Sequence, residues 1–115
     1  MSSIPEGGMC LSVFLILWKN NPRHVLLGKV NEEYDWIQIG ALDKESAQRA
    51  SRRWMLPSSH LLVYEPPAIA AKRVLSEQLR METLQLEGPT IFSEVYDAPI
   101  FDIKNHWDLE FVFTG

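Results

Sequence analysis

The stretch WMLPSSHLLVYEPPAIAAKRVLSEQLRM, Trp54 to Met81, sets two glutamates in a fixed relation to an arginine. Glu65 is followed by seven residues and then Arg73, and Glu77 comes four positions later. Two carboxylates fixed beside an arginine and a helix raise the question of a metal-dependent catalytic site, since a hard divalent cation prefers oxygen ligands. Such a cation offsets phosphate charge and lowers the pKa of an attacking water. Guanidinium groups chelate carboxylate or phosphate oxygens in pairs. Arg49, Arg52 and Arg53 crowd the upstream segment; they read either as a solvated face or as phosphate contacts. Tyr34 and Trp36 flank the same segment and are candidates for stacking on a nucleobase, whereas most of the tryptophans read as core or pocket wall.

Further titratable groups lie downstream. Glu94 stands in FSEVYD, and Asp108 and Glu110 stand in HWDLEF. Asp108 and Glu110 are two apart on an expected strand and so share a face. They read as solvated carboxylates or as acids that complete a metal site. No histidine pair stands at metal-ligand spacing, so a zinc site is not expected. Structural hydrogen bonding is the favoured role for His60 and His106, with a general base at His60 as the sharper alternative. Cys10 is the single cysteine; it excludes an intrachain disulfide, is compatible with a reducing, cytoplasmic compartment, and reads as a core or near-core thiol.

These groups need elements to position them. LSVFLILW, Leu11 to Trp18, is a short apolar run between turn signals and predicts a buried strand. KNNPR turns it into HVLLGKV, an antiparallel hairpin. WIQIGAL, Trp36 to Leu42, predicts a strand or arm, and the polar DKESAQRASRRW predicts a short helix or ordered loop with Asp43 as N-cap. WMLPSSHLLVY reads as a strand broken by Pro57 and a Ser58–Ser59 turn. From Pro66 to Met81 the pattern is helical: two prolines suit the first turn, and Ala68, Ala71, Leu75 and Leu79 make an apolar stripe. Gly88–Pro89 ends the next stretch. TIFSEVYD and WDLEFVF predict strands, with APIFDIKNH as a loop between them. One strong helix among strands implies a mixed sheet with a helix packed on it, an α/β domain.

The Glu65–Arg73–Glu77 frame, with LP ahead of it, resembles the Nudix box, G-x5-E-x7-R-E-U-x-E-E-x-G-U, where U is a bulky aliphatic residue. Aligned on Glu65 and Arg73, the box runs from Ser59 to Met81. WMLPSS is similar to the family's W-x-L-P-G-G approach, and HWDLEFVF to a family strand. The resemblance covers most of the chain. It implies a Nudix-like α/β/α sandwich; the family usually continues into a further strand and a helix, whereas this sequence stops at FVFTG, which reads as a minimal version, a shortened chain, or a fold that a partner completes. It implies hydrolysis of a nucleoside diphosphate linked to another moiety, dependent on Mg2+ or Mn2+. Glu77 and Arg73 would be catalytic, with Glu77, Gln78 and Glu110 at the metal. Arg49, Arg52, Arg53, Trp36 and Tyr34 would bind substrate, and Ser58, Ser59 and Glu65 would form the structural part of the box.

The chain departs from the box where the metal would bind. Val74 and Gln78 replace two helical acids, and Ser59 and Arg80 replace two glycines. Each lost charge at ~4 Å removes on the order of 4 kcal/mol of gross attraction for a cation at an effective dielectric near 20. A catalytically silent Nudix-fold module that binds a nucleotide or a protein is therefore the alternative to a hydrolase.

Bulk properties set the outer limits. The 115 residues suit one domain spanning 1–115, and 46% apolar with 23% charged residues is ordinary for a globular chain. A net charge of -4 argues against a general nucleic-acid-binding surface. The longest apolar run is too short to cross a bilayer, and no positive segment precedes it, so neither a membrane span nor a signal peptide is expected. The expected ligand is a nucleotide-derived small molecule, and an uncovered edge strand would favour a homodimer.

Overall fold

The computed structural model describes residues 7–19, 24–29, 53–98 and 103–115. The expected arm at Trp36–Leu42 and most of the expected 43–54 helix or loop lie outside these residues.

Four strands form one mixed sheet: β1 (Met9–Ile16), β4 (Ser58–His60), β5 (Glu87–Ala98) and β6 (Ile103–Thr114), in the order β4-β1-β6-β5. β1 runs parallel to β6 over its full length, with Val13 opposite Phe111 and Leu15 opposite Phe113. β4 and β5 are antiparallel to their neighbours. β1 is paired along both edges, by β4 and β6, so its backbone groups are satisfied within the sheet. A small hairpin, β2 (Trp18–Lys19) on β3 (His24–Val25), follows it as expected from the turn, though the second strand is far shorter than His24–Val30.

Helix α1 (Pro67–Leu79) lies against β1 and β4. Pro66 is extended at its N-terminus and Pro67 occupies the first turn, where a missing N–H costs nothing. Its buried face is Ala70, Ala71, Val74 and Leu75, which pack with Val13, Leu15, Leu17 and Phe113 into one core. The expected stripe needs correction: Ala68 is exposed, and Ala70 and Val74 take its place. The helix meets the sheet slightly rotated from the face that the sequence spacing favoured.

Three other boundaries also move. Ser58–Ser59 is strand, not turn, because Phe14, Val13 and Ser12 pair with Ser58, Ser59 and His60. The turn falls instead at Val63–Tyr64, where Tyr64 has a φ of 64°. Gly88–Pro89 lies inside β5, at a register shift against β6, rather than ending the stretch before it. Ile103–His106, expected as loop, is the start of β6.

The alternation of β1 and β6 sorts the polar groups by face. Val13, Leu15, Phe111 and Phe113 turn toward α1. Cys10 pairs in register with Asp108 and Ser12 with Glu110, so these four lie on the opposite face. Across β5, Tyr96 opposes His106, Glu94 opposes Asp108 and Phe92 opposes Glu110. Asp108 and Glu110 share a face, as their spacing implies. No helix among the described residues is long and apolar enough to cross a membrane.

Candidate functional site

Two clusters of charged residues sit on the two sides of the sheet. On the helix side, Arg73 ties the loop after β4 to α1. Its Nε and one terminal nitrogen grip Glu65 at 2.8 and 3.0 Å. A terminal nitrogen also donates to the His60 carbonyl at 2.9 Å, and both reach Ser59 Oγ at 3.3 Å. Glu65 additionally accepts the Leu62 N–H at 3.0 Å. The hydrogen bond from Arg73 holds the Glu65 carboxyl below its usual range. Ser59, at a box-glycine position, is buried and donates its hydroxyl to the His60 carbonyl at 3.0 Å.

Val74, Glu77 and Gln78, the three positions expected to face a metal, do not form a carboxylate cluster. Val74 is fully buried in the core. Gln78 donates its side-chain amide to the Ser58 carbonyl at 2.7 Å and so fastens the helix to β4. Glu77 is the one acid of the three; its side chain is 37% exposed and lies 3.9 Å from Arg73. Mg2+ demands near-octahedral oxygen coordination, and one half-exposed carboxylate beside a guanidinium does not supply it. At the other glycine position, Arg80 is left-handed (φ 53°, ψ 38°), and the N–H groups of Arg80 and Met81 close the helix on Ser76 and Leu75. This is the backbone conformation that glycine fills most easily.

On the opposite face, His106 is buried between two acceptors. Nδ1 donates to the Gly7 carbonyl at 2.7 Å, and Nε2 faces Asp108 Oδ1 at 2.9 Å. The other Asp108 oxygen accepts the Tyr96 hydroxyl at 2.7 Å, and the Tyr96 ring meets the His106 ring edge-on at 5.6 Å. Burial, aided by the Asp108 carboxylate, pushes the Tyr96 hydroxyl and the Cys10 thiol above their ordinary values. Burial also pushes Glu110 up, reinforced by Glu94 and then Asp108.

The expected site residues therefore divide. Glu65, Arg73, Ser58, Ser59, Glu77 and Gln78 come together at the β4–α1 junction. Glu110 does not join them; it lies across the sheet with Glu94 and Asp108. Arg53 is exposed, while Arg49, Arg52, Trp36 and Tyr34 lie outside the described residues. His60 contributes its backbone carbonyl to the Arg73 grip, and its exposed side chain lies on the other face. Trp18 and Trp54 are not core: Trp54 is 66% exposed with Lys29 Nζ 4.8 Å from its ring centre. Trp107 is half-buried and donates to Ser93 at 2.7 Å. The His106–Asp108–Cys10 grouping was missed because Cys10 and His106 stand at opposite ends of the chain and meet only through the parallel β1–β6 pairing.

The chain matches no protein-family model, and no curated protein matches it significantly.

Proposed function

We propose that this chain is a Nudix-type domain whose box survives as a brace, and that it binds a nucleotide-derived diphosphate compound without hydrolysing it through the box. The supporting observation is the contrast within one element. The Arg73–Glu65 grip is complete, while Val74 is in the core and the Gln78 amide is committed to Ser58. The residues that hold the loop are present, whereas of the three helical positions that would hold Mg2+ or Mn2+ only Glu77 carries a carboxylate. The four-stranded mixed sheet with α1 on one face is the part of an α/β/α sandwich that supports this reading. Exposed Arg53 and the Lys29–Trp54 pair supply cationic and aromatic surface of the type that phosphate and base contacts use.

A metal-dependent hydrolase is the second reading, favoured by Glu77, which keeps a partly exposed carboxylate beside Arg73. Incubation with Mg2+ or Mn2+ and a panel of nucleoside diphosphate derivatives separates the two. Saturable binding without turnover, indifferent to the metal, is expected. Metal-dependent turnover that Glu77→Gln abolishes would establish the hydrolase instead. A homodimer is proposed through β5, the last strand in the sheet order, which exposes Ile91, Phe92 and Val95; a monomer by size-exclusion chromatography with light scattering would reject it.

A further inference from the structure

We propose that Cys10, His106 and Asp108 form a Zn2+ site on the sheet face turned away from α1, using Sγ, Nε2 and one carboxylate oxygen as ligands. One ligand atom from each residue lies within 4.8 Å of the others, close enough to converge on a single ion with small side-chain shifts. The donor types suit zinc, which takes thiolate, imidazole and carboxylate together. A thiolate, a carboxylate and a neutral imidazole bring two negative charges to a doubly charged ion, so the site is electrically balanced.

The arrangement around the three atoms is the second observation. A zinc-bound histidine usually donates its other ring N–H to a carbonyl, and a zinc-bound carboxylate is usually held by a hydrogen bond. Both supports are present: His106 Nδ1 donates to Gly7, and Tyr96 donates to Asp108 Oδ2. With the proton on Nδ1, the lone pair of Nε2 faces a carboxylate oxygen at 2.9 Å. Two acceptors that close need a positive charge between them, either a proton or a metal ion. Cys10 beside Asp108 supplies the third ligand that a proton does not need. Glu94 opposes Asp108 on β5 and Glu110 follows it on the same face of β6, so further carboxylates line the approach to the site. Three protein ligands leave a fourth position for water or a substrate atom.

This site is independent of the reading of the box. The test is a titration of the chelator-treated full chain with Zn2+, and with Co2+ as its spectroscopic substitute. One ion per chain is expected, with thiolate-to-cobalt charge-transfer absorption and the intense visible bands of a four-coordinate ion. Cys10→Ser, nearly isosteric, should abolish the charge-transfer band and weaken Zn2+ by more than ~100-fold, because losing a ligand exceeds losing a support. Tyr96→Phe should weaken it ~10-fold and keep the band. Circular dichroism confirms that each variant is folded; should Cys10→Ser fail to fold, the cobalt spectrum of the unaltered chain and the Tyr96→Phe titration decide. No stoichiometric binding, or binding without a thiolate band, overturns the proposal and assigns the position between His106 and Asp108 to a proton.

Discussion

The two faces of the sheet use charged groups in opposite ways. On the helix side, Arg73 satisfies Glu65, Ser59 and the His60 carbonyl at once, and Gln78 closes on Ser58. Those groups are consumed by one another and hold a loop to a helix. On the far side, hydrogen bonds hold the outer atoms of His106 and Asp108, while their inner atoms face each other and Cys10. A polar cluster that satisfies itself is a brace. One whose inner atoms can also converge on a cation is the receptacle proposed above, even though the first is the one whose residue spacing resembles a catalytic motif.

Placing a carboxylate at the position of Val74 should have the largest effect. Val74→Glu puts an unpaired carboxylate into the core and should cost more than about 3 kcal/mol. Chemical denaturation measures it, and a stable variant that gains Mg2+ affinity would break the contrast between brace and receptacle. Arg73→Ala comes next, at about 3 kcal/mol, because it leaves Glu65 mostly buried with the Leu62 N–H as its remaining named partner.

The same pair carries an acid dependence. The folded-state Glu65 carboxyl lies below its usual range, so its contribution is present above the unfolded pKa near ~4.3 and is lost as pH falls through the folded value. Glu65→Gln should therefore narrow its stability deficit at low pH relative to the unaltered chain, as denaturation midpoints measured from neutral to acid pH would register. A deficit that does not change with pH would mean that the ion pair is not what stabilises the loop.

Smaller effects sharpen the contrast. Arg80→Gly relieves a left-handed residue at the end of α1 and should raise stability by up to about 1 kcal/mol. A loss of stability there would show that the Arg80 side chain makes up for its backbone. Glu77→Gln should shift stability by no more than about 0.5 kcal/mol, since its pairing with Arg73 is long and partly exposed. A larger loss would place Glu77 within the brace.

Several elements were legible from sequence because they depend on local pattern. The apolar run became β1, the Pro-Pro start and apolar spacing became α1, and the Glu65–Arg73 spacing became an ion pair across the loop. Other features were not legible. The Ser58–Ser59 pair looks like a turn until β1 provides a partner for it. Ile103–His106 looks like a loop until β5 pairs with it. Ala68 and Val74 exchange roles because the rotation of a helix about its axis is set by what it packs on, and sequence spacing fixes that only to within about one residue.

By itself, the sequence determined which residues repeat at helical or strand spacing, that Val74 and Gln78 carry no carboxylate beside Glu77, and that one cysteine excludes an internal disulfide. These are properties of composition and of separation along the chain. Only the tertiary structure decided which sheet face each acid occupies, that Glu110 lies apart from Glu77, and that Cys10 meets His106 and Asp108. The reason is the parallel pairing of β1 with β6, which aligns the two ends of the chain residue by residue; no local pattern encodes a register between segments so far apart.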